Sequence, residues 1–261
     1  MINEDQDIDT LEHDQNEKTH PWRICPLGKH YVKTHPEHIP PSKKHPEGEI
    51  IIRHAHCADN PLHNGKRQDV LSFDEIQEMT NKYFANLPPG PPTAGALDFE
   101  HADDFDDLIR GWVCYWNGIF HLEDPLDPNF IKALIATESG FDPKTDNKVN
   151  TKRVHAHGLM QITDETRDYL SNHEGELTNY LVTLTRDNLY NPSANICAGV
   201  RWLFRKKVTA TNRLHKNKIN REATWEEAVI DYKGYWDDVK NGKIPSGLEH
   251  LREYYQQLHG Q

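Results

Sequence analysis

The segment LPPGPPTAGA at 87–96 divides the chain into two parts that are expected to fold differently. Its prolines fix the backbone and lack N–H donors, so the segment is stiff and cannot be helical. The residues before it are rich in proline and histidine, whereas those after it repeat apolar side chains at helical spacing. The sequence therefore predicts a mainly α-helical domain at 97–261, a Pro/Gly linker at 88–96, and a small N-terminal module with short β-strands at 21–87.

Charge and hydropathy exclude two classes of partner. The formal net charge is -11 and the pI is about 5.8, and a phosphate backbone binds basic surfaces, so no nucleic acid is expected. No run approaches the ~18 apolar residues of a membrane span. Residues 1–20 are acidic and polar, which predicts a disordered tail without the apolar core of a signal peptide.

Two patterns predict regular structure in the N-terminal module. EIIIRHAHC at 49–57 has consecutive isoleucines followed by alternation, which favours a strand, and YVKTH at 31–35 is a candidate partner strand. SFDEIQEMTNKYFANL at 72–87 begins with a serine followed three residues later by a glutamate, which is a helix-capping pattern. The module is therefore expected to hold a strand pair and one helix.

The cysteines and histidines of the module leave three interpretations open. Cys25, His54, His56 and Cys57 carry the thiolates and imidazoles that ligate Zn²⁺ in structural sites, although their spacing fits no standard zinc finger. A Cys25–Cys57 disulfide formed after export is the second interpretation, and surface polar residues without either role are the third. A segment with so few apolar residues needs a covalent or metal cross-link, or must pack on the other domain.

Helical spacing recurs through the second part of the chain. Asp127 and Pro128 occupy the cap and first position of one predicted helix. Cys114 and Cys197 lie on predicted apolar faces, so both are expected to be buried free thiols. The predicted helices span 104–122, 127–139, 191–208, 224–236 and 247–258, whereas 144–157 is predicted to be a loop.

Glu138 is the candidate catalytic group. Helical spacing puts it on the same side of the 127–139 helix as Phe130, Ile131, Leu134 and Ile135. Burial among apolar side chains disfavours the charged carboxylate, and cleavage of a glycosidic bond needs a proton donor at the leaving oxygen. The competing interpretation is a glutamate exposed to water at a helix end, as most glutamates are.

Three phrases in register resemble a known family. ESGFDP, GLMQIT and NPSANICAGVRWL follow one another within 125–258, and their order and spacing are similar to those of the soluble lytic transglycosylase and goose-type lysozyme group, the SLT domain. The resemblance implies a lysozyme-like helical fold with Glu138 as catalytic acid and no cofactor for catalysis. It implies cleavage of the β-1,4 bond between N-acetylmuramic acid and N-acetylglucosamine in peptidoglycan glycan strands.

The resemblance also implies a set of substrate-binding residues. Met160 and Gln161 are expected to touch sugar, and Tyr232 is expected to hydrogen-bond near the catalytic acid. From the residues alone, a methionine such as Met160 is more often a core side chain than a ligand contact. Tyr232 could be a core aromatic, and Asn195 could equally be a cap or packing residue. The implied set is Ser139, Gly158, Leu159, Met160, Gln161, Asn195 and Tyr232, with Gly199 packed behind the site.

The chain departs from the family pattern at two places. Lys233 follows Tyr232 where the family usually has asparagine, which puts one substrate contact in doubt and adds a positive charge near the groove. In the late phrase GLEHLREYY, Arg252 and Tyr254 align with the family, but Glu249 falls one place early. We therefore assign no catalytic role to Glu249.

The choice between products depends on a second carboxylate. A lysozyme of the inverting type needs one opposite the acid, whereas a lytic transglycosylase needs only the single acid/base. Asp142, Asp146 and Asp164 are the candidates, and none is convincing, so a lytic transglycosylase with an anhydro-muramic product is predicted. A hydrolytic muramidase, an inactive peptidoglycan-binding module, and a zinc amidase in the N-terminal module are the alternatives.

An enzyme that cleaves peptidoglycan but has no signal peptide must leave the cell by another export route. A lysis system or a contact-dependent secretion machine would supply it, and a signal removed from the chain is the alternative. We expect a secreted protein that acts in the periplasm or on the cell wall. An antibacterial effector with a carrier or immunity protein as partner fits this expectation.

Overall fold

The computed structural model describes residues 22–149, 154–177 and 179–260, and it is mainly α-helical, as the sequence predicts. The predicted tail at 1–20 lies outside the described residues. The helices are α1 (Phe73–Tyr83), α2 (Asp106–Phe120), α3 (Pro128–Ser139), α4 (Asp164–Ser171), α5 (Pro192–Lys216), α6 (Trp225–Lys233), α7 (Trp236–Lys240) and α8 (Ser246–His259). The strands are β1 (Lys29–Val32), β2 (His35–Ile39), β3 (Glu49–Arg53), β4 (His56–Asp59), β5 (Leu62–His63), β6 (Lys66–Arg67), β7 (Val70–Ser72), β8 (Asp146–Val149), β9 (Val154–His157), β10 (Ile162–Thr163) and β11 (Leu181–Thr183).

The N-terminal strands pair as antiparallel ribbons. β1 pairs with β4 in a register that sets Tyr31 opposite Cys57, and β2 pairs with β3 with His35 opposite Arg53. The predicted pairing of 31–35 with 49–57 is therefore confirmed, although it consists of two separate strand pairs and not one continuous pair. The capping pattern is confirmed as well, because the Ser72 side chain accepts a hydrogen bond from the backbone N–H of Glu75 at the start of α1.

A disulfide replaces the predicted zinc site. Cys25 and Cys57 are bonded, with their Cα atoms 5.7 Å apart, and a sulfur in a disulfide is not available as a thiolate ligand. His54 and His56 are exposed on the surface beside Cys57. No group of three or more metal-ligating side chains occurs within the described residues. The zinc interpretation is therefore not supported, and of the three interpretations the structure adopts the disulfide.

A buried charge cluster ties the start of the described chain to α1. The Arg23 guanidinium donates to Glu75 at 2.7 Å and also pairs with Asp69, and all three side chains are almost fully buried. Burial raises the pKa of Asp69, while Arg23 acts in the opposite direction. The guanidinium compensates two carboxylates that would otherwise be buried without a counter-charge.

The two parts of the chain share one hydrophobic core. β7 pairs in parallel with β11, so that Val70 lies opposite Leu181. Phe84 packs edge-on against Trp112 of α2, with ring centroids 4.9 Å apart, and the absence of a side chain on Gly111 permits this approach, since a Cβ there would lie 2.5 Å from the Phe84 ring. Residues before and after the linker therefore pack in a common core, while the division into modules stays a prediction.

Helix α5 runs through the centre of the helical part, between α2 and α6. Two indoles of α2 bind it: Trp112 donates to the Ser193 hydroxyl at 2.8 Å, and Trp116 donates to the Cys197 carbonyl at 3.1 Å. Cys197 is a buried free thiol, as predicted, but Cys114 is exposed. The Cys114 prediction is wrong because that residue lies on the solvent-facing side of α2, with Asp107 and Arg110, and not on its apolar face.

Helix α3 and a small sheet complete the part of the fold that bears the candidate acid. The Asp127 side chain caps α3 by accepting from the Asn129 backbone, and Gly140 ends the helix with a φ of 57°. The segment predicted as a loop at 144–157 instead contributes β8 and β9 to a three-stranded antiparallel sheet with β10. Its polar composition lacks the apolar alternation that predicts strands, so the sequence gives no signal for them.

The buried charge cluster yields a stability prediction. Arg23→Leu leaves Asp69 and Glu75 buried without their counter-charge, which costs about 3–5 kcal/mol when one partner of a buried pair is removed. Chemical denaturation should report this loss of unfolding free energy. Arg53→Leu is the matched control, because Arg53 pairs with Glu37 on the exposed β2–β3 ribbon, and it should leave stability near that of the wild type. Equal effects of the two substitutions would contradict the assignment.

Candidate active site

Glu138 lies in the last turn of α3 with its carboxylate at the protein surface but mostly covered. Its side chain is 13% exposed. Burial raises the pKa of Glu138, and the neighbouring Lys233 opposes this shift through its charge and a hydrogen bond. The desolvation expected from the helix pattern is therefore present, and it favours the protonated form that a general acid needs.

Lys233 forms an ion pair with Glu138. Its Nζ lies 2.9 Å from Glu138 Oε1, and the lysine side chain is 9% exposed. Lys233 is the last residue of α6, which ends at Gly234 with a φ of 71°. The residue that departs from the family pattern is thus in direct contact with the candidate acid.

The turn at 158–161 passes beneath the end of α3. Gly158 has a φ of 72°, and a Cβ at this position would lie 2.3 Å from the Leu189 carbonyl oxygen, so no other residue fits without a shift of the backbone. The Gln161 side chain donates to the Gly158 carbonyl at 2.8 Å and accepts from Asn147 at 3.0 Å. Gln161 is the partly exposed side chain of the turn.

Asn195 holds the turn from below. Its carboxamide oxygen accepts from the Met160 backbone N–H at 2.7 Å, and its amide nitrogen donates to the carbonyls of His157 at 2.9 Å and Leu189 at 2.8 Å. Gly199, one helical turn further along α5, leaves room for Met160, since a Cβ there would lie 2.4 Å from the Met160 sulfur. Asn195 is fully buried, so its side chain serves the turn and has no surface to offer a sugar.

Two hydroxyl groups fasten the neighbouring helices to the same turn. Ser139 at the end of α3 donates to the Leu159 carbonyl at 2.9 Å. Tyr232 in α6 donates to the Met160 carbonyl at 2.6 Å, and burial, followed by the charge of Glu138, raises the pKa of the Tyr232 phenol. The turn is therefore bound to α3, α5 and α6 at once.

The residues predicted for the site meet in one place, but their roles differ. The side chains of Leu159 and Met160 are fully buried in the core, so the expected contact of the Met160 side chain with sugar has no surface in this conformation. A separate depression of about 640 Å³, lined by the linker, Asp106 and Arg110, does not include Glu138. The sequence marked Lys233 as unusual, but it did not predict its contact with the acid.

The three candidate second carboxylates lie in different environments. Asp142 accepts from the Lys144 backbone at 2.8 Å and shapes the turn after α3. Asp164 pairs with Arg167 and Arg186, and its side chain is 26% exposed. Asp146 in β8 is 41% exposed and bonds to His155 Nδ1 at 2.6 Å.

Asp146 keeps its charge more readily than an isolated carboxyl. Its hydrogen bond to His155 is the main cause of its lowered pKa. The Tyr190 hydroxyl donates to its second oxygen at 3.2 Å. The adjacent Asn147 reaches the Gln161 side chain, so Asp146 lies on a strand directly linked to the turn.

The segment GLEHLREYY at 247–255 contributes packing contacts and an ion pair. Arg252 forms a two-pronged ion pair with Glu226, and Tyr254 packs edge-on against Phe99 with ring centroids 5.4 Å apart. Phe99 in turn lies against the glycine that ends α3. Glu249 is exposed on α8.

A largely buried glutamate at the end of a helix, beside a turn fixed by a buried asparagine, defines the candidate active site of this helical domain. Residues 121–234 match the family model described as the Transglycosylase SLT domain. This match confirms the resemblance for that part of the chain, which carries a lytic transglycosylase or lysozyme-like domain. Neither the curated proteins nor the solved structures gave a match.

The match implies a peptidoglycan-directed activity of the lytic transglycosylase type for this domain. SLT domains act on peptidoglycan and need no cofactor for catalysis. Within the described residues, no helix is long and apolar enough to cross a membrane.

Gly158→Ala tests the close packing of the turn. Alanine at a positive φ costs about 1–2 kcal/mol, and the contact with the Leu189 carbonyl adds to this cost. Gly234→Ala is the matched control, because Gly234 has nearly the same φ but no atom within 4 Å of the point that an added methyl group would occupy. Thermal unfolding should place Gly158→Ala clearly below Gly234→Ala. Equal melting temperatures would mean that the close contact between Gly158 and the Leu189 carbonyl does not affect stability.

Proposed function

We propose that the protein is a lytic transglycosylase that cleaves the β-1,4 bond between N-acetylmuramic acid and N-acetylglucosamine, with Glu138 as general acid and then general base. The observation that carries the proposal is the largely buried Glu138 carboxyl within the SLT segment, with its pKa raised by burial. A carboxyl that stays protonated nearer to neutral pH can donate to a leaving oxygen.

A single carboxyl group is sufficient for both proton transfers of this reaction. Glu138 gives its proton to the glycosidic oxygen, the bond between that oxygen and the anomeric carbon of muramic acid breaks, and N-acetylglucosamine leaves with a free hydroxyl. The 6-hydroxyl of the same muramic acid then attacks the anomeric carbon and returns its proton to Glu138. This hydroxyl is already tethered to the reacting sugar, which gives it an intramolecular advantage over water.

The residues around Glu138 divide into two roles in this proposal. The partly exposed Gln161 is the part of the turn that would contact sugar, whereas Gly158 is buried and would let the turn pack against Leu189 and Asn195. Leu159, Met160 and Asn195 lie in the core and would support the turn from within. Ser139 and Tyr232 would fix the turn relative to the acid through their hydrogen bonds.

Hydrolysis is the second candidate, and Asp146 is the observation that favours it. Its carboxylate is half exposed, has a lowered pKa because of His155, and lies on the strand next to the turn. A carboxylate of this kind could act as base for an attacking water. Asp164 is a weaker candidate, because two arginines already occupy its oxygens.

We also propose that the protein acts in the periplasm or on the cell wall, as an antibacterial effector with a carrier or immunity partner. The Cys25–Cys57 disulfide supports an oxidising place of action, because disulfides persist outside the reducing cytosol. The peptidoglycan specificity of SLT domains supports the same compartment.

Glu138→Gln should abolish cleavage of purified peptidoglycan while leaving the protein folded. The substitution keeps the volume and removes the proton donor, a change worth ~10²–10⁴ in rate. Loss of turbidity and release of soluble muropeptides are the measurements. Glu249→Gln makes the same chemical change on the exposed face of α8 and should retain full activity. A folded Glu138→Gln variant with normal activity would rule out the assigned acid.

The product distinguishes the two reactions. Digestion in H₂¹⁸O should give muropeptides that end in 1,6-anhydro-muramic acid, carry no ¹⁸O and resist borohydride reduction, since no water enters the reaction. Mass spectrometry reads all three properties. Reducible ends that contain ¹⁸O would establish a lysozyme, and Asp146→Asn should then lose more activity than Asp164→Asn. Wild-type protein that binds the glycan without cleaving it would instead establish a binding module.

A further inference from the structure

We propose that Lys233 is a positioning residue for the catalytic acid: it holds one oxygen of the Glu138 carboxylate, leaves the other for the sugar, and sets the highest pH at which the enzyme cleaves glycan. This proposal rests on the proposed function and names a residue that determines the pH range of that same site. The position departs from the family pattern, in which asparagine is usual, so the proposal concerns a feature of this chain.

The contact is short and well shielded from solvent. Lys233 Nζ lies 2.9 Å from Oε1 of Glu138, and both side chains are mostly covered. Among the described residues, none hydrogen-bonds to Oε2 of Glu138. One carboxylate oxygen is thus anchored to an ammonium group, and the other remains for proton transfer to the glycosidic oxygen.

The backbone that carries Lys233 is fixed from both sides. The residue before it, Tyr232, is bound to the Met160 carbonyl at 2.6 Å. The residue after it, Gly234, ends α6 in the left-handed conformation, and the ring of Tyr235 lies 6.0 Å from the ammonium group. The lysine is therefore presented to Glu138 by a helix end that is attached to the same turn as the acid.

The other charged groups near α3 have partners of their own. The turn at 158–161 contributes no titratable side chain. A tyrosine phenol is uncharged at neutral pH, and burial raises the pKa of Tyr232 further. Lys132 lies six residues before Glu138, about 9 Å along the helix axis. Asp106 of α2 and Asp103 in the turn before α2 pair with Lys132. Tyr255 and His259 of α8 bind Asp127.

The sign of the pH effect follows from these contacts. Burial raises the pKa of Glu138, and the positive charge of Lys233 lowers it from that raised level. Cleavage begins with protonated Glu138, so activity is lost as the pH rises through the pKa of this group. Replacing Lys233 with an uncharged residue removes the lowering influence, and cleavage should then persist to higher pH.

The anchoring role predicts a second effect in the opposite direction. Without the ammonium group the carboxyl can rotate, and a misplaced catalytic group costs on the order of 10- to 100-fold in rate. Lys233→Met should therefore cleave more slowly than the wild type at low pH, with kcat falling more than KM rises. Its alkaline limit should nevertheless lie at higher pH. A role in folding alone would not move that limit.

The experiment compares pH profiles of kcat/KM on purified peptidoglycan for the wild type, Lys233→Met, Lys233→Arg and Lys240→Met. Lys233→Arg keeps the charge and should retain the wild-type alkaline limit. Lys240→Met removes a charge from the exposed α7 and should behave like the wild type. Lys233→Asn introduces the usual family residue and provides a second uncharged variant if methionine prevents folding.

A direct titration separates this proposal from the proposed function. Carboxyl ¹³C NMR of glutamate-labelled protein follows Glu138, whose signal is assigned by its loss in Glu138→Gln. The midpoint should move to higher pH in Lys233→Met or Lys233→Asn. If the wild type cleaves glycan and neither this midpoint nor the alkaline limit moves, the Lys233 proposal is overturned. If the midpoint moves but the wild type cleaves no glycan, the Lys233–Glu138 coupling stands and the proposed function fails.

Discussion

The geometry of the candidate site depends on the buried carboxamide of Asn195. Its three hydrogen bonds join the end of β9, the turn at 158–161 and the segment before α5. An unsatisfied amide at this depth would cost about 1–3 kcal/mol for each lost partner, so the turn has one favourable position relative to α5. Ser139 and Tyr232 then bind the outer side of that turn, which fixes the end of α3 and the catalytic acid beside it.

The N-terminal residues pack against the domain that carries this site. They contribute a strand to the β7–β11 pair and apolar side chains to the common core. Arg23 and the Cys25–Cys57 disulfide join the first described residues to later parts of the N-terminal segment. The candidate active site thus lies on a well-packed core, which suits a reaction that needs the acid held in place relative to a long polymer.

Local signals in the sequence predicted the parts of the fold that depend on neighbouring residues. Asp127 and Pro128 predicted the start of α3, and the spacing of its apolar residues predicted the burial of Glu138. Features that depend on distant contacts were missed or left open. Cysteine spacing could not distinguish a disulfide from a zinc site, because neither is determined by local sequence. The ion pair between Lys233 and Glu138 joins two helices far apart in the chain, and the polar strands β8 and β9 carry no apolar alternation.

The central claim is that Glu138 delivers the proton to the scissile oxygen. A crystal structure of Glu138→Gln protein soaked with a muramic acid-containing tetrasaccharide tests it most directly. The account predicts a glycan that runs across the turn at 158–161, with the oxygen of one β-1,4 bond about 2.6–3.2 Å from the side chain at position 138. A glycan bound with every glycosidic oxygen beyond the reach of that side chain, for example along Asp146 instead, would contradict the account.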